Sequence, residues 1–437
     1  MVPNADFVGL LVVGGVPTRF TDTLLLPVGR RFNLGRWRGP SRTPRFWAIC
    51  MVRLSRFSSR LKHPARGLIK PTKQLRRRWR GRLLNCRAAL RRLTLRHVTF
   101  IAVTGSCGKT TAIALADAVL SSAGKCWTGV GSSRWLVAET LLSVPASTRF
   151  CLQELHASYP GIIGESLRLL KPQIGVVTTI GGDHYKSYRS LEATAREKGQ
   201  LVESLPRSGI AILNADDSHV LSMAERARGR VMTFGLSPQA DLRAMEVSSV
   251  WPERLSMKVV HQREAVSVET QLVGEHWVTS VLAAIAAGIA WGVDLKTCAE
   301  AVRTVEPVFG RYSVHMRSDG AAYVLDTHKA PLWSIAQGLA FVRAARAPRK
   351  TMVFGTISDY PGANSPRYRR VAREALEVAD RVIFVGPQSS HVDKLRHPRV
   401  DHRGIVLRRG FFSFRSATNA PEALGGAAPA RDGHWAL

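Results

Sequence analysis

The chain has 437 residues, 45% of them hydrophobic, and 63 Lys and Arg against 32 Asp and Glu, for a formal net charge of +31. The apolar content is normal for packed domains, and the length allows two or three of them. No run reaches the roughly 18 uncharged apolar residues of a spanning helix. The six cysteines (50, 86, 107, 126, 151, 298) form no CxxC pair and no His/Cys cluster. This speaks against a disulfide scaffold or zinc module and for a reducing cytosol.

In chain order, the charge comes first. Residues 1–98 carry 23 basic residues against two acids, Asp6 and Asp22, whereas the remainder carries 40 against 30. The run 7-FVGLLVVGGVP-17 follows Asp6 with no basic flank, so it does not read as a secretory signal. Residues 1–50 show little pattern beyond short apolar runs. Met51 opens an alternative start, MVRLSRFSSRLKHPARG, so translation begins at Met1 or at Met51. In 75-QLRRRWRGRLLNCRAALRRLTLRH-97 the apolar residues roughly share one helical face, with arginines over the rest. This predicts an amphipathic helix near 75–97. Residues 60–97 then suit peripheral contact with an anionic membrane at its inner face, with nucleic acid the less favoured partner. A solvated, partly disordered leader is the equal alternative, and an organellar transit peptide a minor one.

From residue 98 short β-branched runs alternate with helical stretches: 98-VTFIAVTG, 149-RFCLQEL, 174-IGVVTTIG, 210-IAILNAD and 230-RVMTFG, with helices between. The pattern predicts an α/β fold with a mostly parallel central sheet flanked by helices. Residues 241–273 read as a small antiparallel excursion, followed by helices over 277–292 and 295–305. The segment 307-PVFGRYSVH-315 reads as a linker into a smaller Rossmann-like α/β unit. Its strands are expected at 322-AYVLD, 350-KTMVFG, 381-RVIFVG and near 404-GIVL. The chain so divides into a basic segment 1–97, a central domain 98–308, a C-terminal domain 309–415 and a tail 416–437, rich in Ala, Gly and Pro, that is expected to fray.

The segment 103-VTGSCGKTTA-112 carries the chemistry. A strand enters a turn of Gly105, Ser106, Cys107 and Gly108, and a helix starts at Lys109, Thr110 and Thr111. Backbone N–H groups in such a turn converge on phosphate oxygens, and the positive end of the helix faces the same point. Lys109 adds a mobile cation, and a threonine hydroxyl can ligate Mg²⁺. Val103 stands where G-x-x-x-x-G-K-[ST] would place its first glycine, so the loop is the shorter T-G-x-x-G-K-T-T. The bland reading is a glycine turn with an incidental lysine.

This short loop resembles the ATP loop of the Mur ligases, and the likeness continues in order. The stretch 154-ELHASYPGIIGESLRLLKPQIGVVTTIGGDHYKSYRSLEATAREKGQLVESLPRSGIAILNADD-217 is similar to the family's central domain, most to the branch that adds D-alanyl-D-alanine. The resemblance implies Glu154 and His184 as Mg²⁺ ligands, Lys198 as a carbamylated lysine serving a second metal, and Asn214 as an adenine contact. Independently, Glu154 and His184 fall at or just beyond C-terminal strand ends, where open α/β sheets bind ligands. Taken alone, His184 would be a surface loop residue and Lys198 part of a solvated helix face. Further on, 274-GEHWVTS-280 resembles the family's G-x-H-N-x-x-N start. It keeps His276 but has Trp277 and Ser280 in place of asparagines. 309-FGR-311 resembles the linker whose arginine approaches ATP phosphates, which implies Arg311. 326-DTHKAPLWSI-335 resembles D-S-Y-N-A-N-P-D-S-M, keeping Asp326, placing His328 where tyrosine meets adenine, and replacing the asparagines with Lys329 and Pro331.

The resemblance covers about residues 98–400 and implies a cytosolic ATP- and Mg²⁺-dependent ligase. It would join a carboxylate substrate to an amino-acid or dipeptide acceptor in cell-wall or related peptide-conjugate synthesis. In the family an N-terminal αβ domain grips a UDP-sugar. Here an Arg-rich segment without strand–helix alternation stands in its place, so a full UDP-binding domain is not expected. One rival reading is a degenerate Mur-like ATP-binding scaffold tethered by its basic leader, and another is a plain P-loop ATPase.

Overall fold

The computed structural model describes residues 8–13, 70–131, 133–318, 320–395 and 400–403. It opens with strand β1 (Val8–Val13) and helix α1 (Lys70–Thr94). The first α/β unit follows as β2 (Thr99–Thr104), α2 (Lys109–Ser121), β3 (Cys126–Gly129), α3 (Arg134–Ser143), β4 (Phe150–Glu154), α4 (Ile162–Leu170), β5 (Ile174–Val177), the one-turn helix α5 (Tyr185–Tyr188) and α6 (Leu191–Ser204). It continues through β6 (Ile210–Asn214), α7 (Ser218–Leu221), β7 (Arg230–Gly235), β8 (Leu242–Ser248), β9 (Ser256–His261), β10 (Glu264–Glu269), α8 (Val278–Trp291) and α9 (Leu295–Arg303).

These strands form one nine-stranded sheet in the order β10-β9-β8-β7-β6-β5-β2-β4-β3, parallel from β3 to β8 and antiparallel over β8-β9-β10. The parallel sheet and the antiparallel excursion expected from the sequence are therefore one continuous surface. Successive residues on its strands serve opposite faces, and both faces are buried. On β2, Ile101 and Val103 pack with α2 and α8, whereas Phe100 and Ala102 pack with α1, α3, α4 and α6. The pair β3 and α3 is absent from the alternation read above. The strand CWTG is short and carries no β-branched run, and it pairs only at the sheet edge against β4.

The second unit comprises β11 (Arg311–Met316), β12 (Ala322–Asp326), β13 (Ala330–Pro331), α10 (Ile335–Ala344), β14 (Arg349–Phe354), β15 (Ile357–Ser358), α11 (Asn364–Leu376), β16 (Arg381–Val385) and β17 (Val400–Arg403). Two corrections to the sequence reading arise here. The segment taken as a linker, 307–315, mostly becomes β11, an antiparallel partner of β12. The N-terminal apolar run is a strand: β1 lies parallel between β12 and β14 in the sheet β11-β12-β1-β14-β16-β17. Most of the leader, the Met51 start, 404-GIVL and the tail 416–437 lie outside the described residues. Among the described residues no helix is long and apolar enough to cross a membrane.

Candidate active site

The glycine-rich loop joins β2 to α2 at the carboxyl end of the sheet. Gly105 and Gly108 have φ of 146° and 78°, and a Cβ on Gly108 would lie 2.6 Å from Ser280 Oγ. Both conformations favour glycine. The loop is braced from β5 and its following turn. Ser106 N–H donates to Thr179 O (2.8 Å), Thr178 Oγ1 donates to Cys107 O (2.6 Å), and the Ser106 hydroxyl accepts from Gly181 N–H (2.8 Å). Ser280 Oγ donates to Gly108 O at 3.1 Å, so the residue that replaces an asparagine supports the loop from below. Gly108 gives α2 no side-chain cap, which leaves the first-turn amides for an anion. Lys109 Nζ folds back to Gly105 O at 2.8 Å.

Beside the loop, Glu154 ends β4 with 1% of its surface exposed. Its Oε2 accepts from the Thr110 hydroxyl at 3.0 Å, and its Oε1 lies 3.2 Å from His156 Nε2. Burial pushes the His156 pKa down to about 4 against the pull of Glu154. Lys198, on α6, is fully buried, and its Nζ donates to Gly105 O and to Asp183 Oδ2, each at 3.1 Å. Burial lowers the Lys198 pKa to about 8, against the raising effect of Asp183. Burial alone would raise the Asp183 pKa, but Lys198, Lys109 and hydrogen bonds from Ser106 and Lys198 hold it below its ordinary value. His184, left-handed at φ 52°, caps α5; burial first, then Lys329, lower its pKa.

The second unit closes over this surface. The Cys107 thiol, pushed up by burial, feels the opposing charges of Lys109 and Arg311. Arg311 faces Asp326 in the β11–β12 register, and its Nε is buried without a hydrogen-bond partner. Burial raises the Asp326 pKa to about 7 despite Arg311. Burial and Arg311 lower the His328 pKa, and Glu154 is near enough to oppose them. Lys329 pairs with Asp359 at 2.6 Å. The Trp333 indole lies so close to Gly181 that a Cβ there would meet its ring carbons at 2.7 Å.

Lys109, Thr110, Glu154, Lys198 and the loop glycines thus share one surface, with Arg311, Asp326 and His328 brought to it from the second unit. Asn214, the expected adenine contact, and His276, kept from the family's motif and expected at the nucleotide, stand differently. Asn214 uses both ends of its amide internally, donating to Thr178 O at 2.8 Å and accepting from Asp216 N–H at 3.0 Å. His276 packs on Tyr312 (centroids 4.3 Å apart) and Trp277 (4.8 Å), its Nε2 buried without a partner and its pKa pushed by burial to about 3. His156, Asp183 and Trp333 were missed by the sequence reading. Two of them had a local signal: His156 lies two residues after Glu154, and Asp183 immediately precedes His184. A cavity of about 660 Å³ lined by Arg230, Asp241, Arg243 and His261 shares no residue with this site.

The glycine cradle, the uncapped start of α2 and the orphaned Arg311 Nε fit a nucleotide's phosphates. For a divalent cation, Thr110 and Glu154 supply hard oxygen donors side by side. Among the described residues no three His, Cys, Asp or Glu converge as a cage. A carboxylate and a hydroxyl side by side are the kind of donors that hold Mg²⁺ together with substrate phosphates.

Fold and site together define a phosphate-loop α/β protein with a second α/β unit folded over the loop. Residues 103–288 match the family model of the Mur ligase middle domain. It is 29% identical over 325 residues to the UDP-N-acetylmuramoyl-tripeptide–D-alanyl-D-alanine ligase of Mycobacterium tuberculosis (strain CDC 1551 / Oshkosh), covering 72% of this chain and 62% of the relative. To the enzyme of that name from Escherichia coli (strain K12) it is 27% identical over 295 residues, covering 66% and 65%. The chain therefore spans less than two thirds of the length of these relatives. The fold is similar to that of MurF from Acinetobacter baumannii (TM-score 0.67, 22% identity, 74% of this chain and 70% of that one). It is also similar to MurF ligase from Thermotoga maritima in complex with ADP (TM-score 0.64, 18% identity, 72% and 73%). The resemblance read from the loop and the residues after it is borne out.

Proposed function

We propose that the chain is an ATP-dependent ligase that joins a carboxylate to an amino-acid or peptide amine through an acyl phosphate, in cell-wall or related peptide-conjugate synthesis. The observation that carries this reading is the convergence of Arg311, Asp326 and His328 from the second unit on a phosphate loop already flanked by Glu154 and Lys198. A plain ATPase has no need of that second layer. In the proposed reaction the substrate carboxylate attacks the γ-phosphorus and ADP leaves. The amine then adds to the acyl carbon, and inorganic phosphate leaves as the amide forms. The loop amides, Lys109 and Arg311 neutralise and orient the phosphates, which is most of what phosphoryl transfer asks of a protein. Thr110 and Glu154 would hold Mg²⁺, with His184 the further ligand that the resemblance implies, and the ion would supply charge neutralisation at the phosphates. Closure of the second unit, with Trp333 over Gly181, excludes water from the acyl phosphate. The relatives' names make a muramyl peptide and a dipeptide the first substrates to try.

Lys109→Ala is expected to cut ATP turnover at least a hundredfold while leaving the melting temperature nearly unchanged. Phosphate release measured with pooled carboxylates and amino acids or dipeptides checks both parts. Stimulation that needs a carboxylate and an amine together is the expected result, and full turnover by the variant would overturn the reading. A scaffold that binds ATP without ligating is the second reading, favoured by the departures from the family's motifs at Trp277, Ser280, Lys329 and Pro331. We place the protein in the cytoplasm, in peripheral contact with an anionic membrane through α1. That helix carries ten Lys and Arg and no acid, and Leu83, Leu90 and Leu93 are 63%, 66% and 56% exposed on it.

A further inference from the structure

The nine-stranded sheet has a break between β7 and β8. These strands pair in parallel at only two positions, Phe234 with Leu242 and Gly235 with Arg243. Among the described residues, 230–233 therefore have no strand partner on that side. A side chain closes the ladder instead: Asp241 Oδ2 accepts from Thr233 N–H at 2.7 Å and from the Thr233 hydroxyl at 2.8 Å. The cavity of about 660 Å³ lies at this break. Met232 and Ile289, on the α8 side of the core, line it together with Arg243 and Met245, which alternate to the other face of β8. Strands β6 and β5 stand between β7 and β2, so the cavity is separate from the phosphate loop.

Its lining combines cations with apolar surface. His261 Nδ1 donates to Asp241 O at 3.0 Å, and Arg243 Nε donates to Leu236 O at 3.1 Å. These bonds hold both side chains in place and leave His261 Nε2 and the Arg243 Nη groups uncommitted. Neither Arg230 nor Arg243 forms an ion pair among the described residues. The single carboxylate of the lining, Asp241, already has one oxygen engaged by Thr233. The balance is positive, and a guanidinium fork matches a carboxylate, phosphate or sulfonate. Methionine walls adapt to an irregular apolar body. The volume falls within the roughly 300–1,000 Å³ of small-molecule sites.

We propose that this cavity binds a small organic anion with an apolar body. Arg230 and Arg243 hold the charge, and Met232, Met245 and Ile289 hold the body. The proposal stands apart from the ligase reading, because no residue of the candidate active site takes part in it.

The full chain is titrated with two fluorescent dyes, anilinonaphthalene sulfonate and phenylnaphthylamine, which share their rings and differ in the charged group. Saturable binding of the sulfonate is expected, at least tenfold tighter than the neutral dye and unchanged by excess ADP and Mg²⁺. Arg243→Gln should weaken the sulfonate about tenfold, the order of one charge-assisted hydrogen bond, and leave the neutral dye unaffected. Arg230→Gln, at an exposed position, repeats that test should Arg243→Gln lower the melting temperature. Met245→Trp fills the cavity from its exposed rim and should weaken both dyes at least tenfold, with a melting curve to verify the fold. Equal affinity for the two dyes, or sulfonate binding untouched by both arginine variants, overturns the proposal. So does displacement of the sulfonate by ADP, or sulfonate binding that survives Met245→Trp, since either places the dye elsewhere.

Discussion

Gly108 combines a left-handed backbone, φ 78°, with a Cβ direction that ends 2.6 Å from Ser280 Oγ. Gly108→Ala therefore meets two penalties, about 1 kcal/mol or more from the backbone and a displaced serine. The expected result is a lower melting temperature and a loss of nucleotide binding, read by thermal denaturation and by titration with a fluorescent nucleotide. His276 makes a pH prediction. Folded, its pKa is held near 3 by burial; unfolded, it is near 6.5. Its contribution to stability is thus fully present above 6.5. It is lost as pH falls towards 3, because only the unfolded chain takes up the proton in that window. The slope is at most about 1.4 kcal/mol per pH unit for this one group. His276→Phe should flatten the fall in melting temperature between pH 7 and pH 5, and equal slopes in the two proteins would remove His276 as the cause.

At the scale of elements, α1 is both less free and more exposed than its sequence implies. Ala88 is buried against the first unit, with Leu84 packed beside it. Two arginines also face inwards. Arg92 Nε and Nη2 donate to Leu170 O and Lys171 O at 2.8 and 2.9 Å, and its guanidinium lies 4.0 Å from the Phe100 ring centroid. Arg91 donates to Val144 O at 2.9 Å. Cations thus satisfy carbonyls at the ends of α3 and α4, where the helix dipole favours them. The outward side keeps Leu83, Leu90 and Leu93 among Arg82 and Arg87, a mixture suited to a lipid interface rather than to nucleic acid. Replacing the three leucines with serine should abolish salt-sensitive co-sedimentation with anionic vesicles and leave the melting temperature within a degree or two. Retained sedimentation would show that charge alone suffices, and binding only to DNA would redirect the assignment.

On the scale of the whole molecule, the start of the chain is joined to its second unit. β1 pairs in parallel with β12 on one side and β14 on the other, so the second unit's sheet depends on residues at the start of the sequence. Translation from Met51 would remove an interior strand and leave two unpaired edges, which are aggregation-prone. A protein beginning at Met51 is therefore expected to lose the second unit's protease resistance while the first unit remains protected. Limited proteolysis with mass mapping distinguishes this from an intact fold.

Lys198, which alone reads as part of a solvated helix face, was singled out only through the resemblance, whereas the loop with Lys109, the strand–helix alternation and the strand-end acid Glu154 were legible in the sequence itself. Each is local: glycine where φ is positive, β-branched runs where a strand is buried on both faces, an acid where a strand ends. Neither the place of β1 nor the ion pair of Asp183 was legible, because each acquires its meaning from residues distant in the chain. An apolar hexapeptide at residue 8 carries no record of the gap between β12 and β14. An acid at 183 carries none of the ammonium fifteen residues later or of the serine in the loop. Which residues tolerate burial next to a phosphate loop depends on charges brought together only by packing, and that was decided by the tertiary structure.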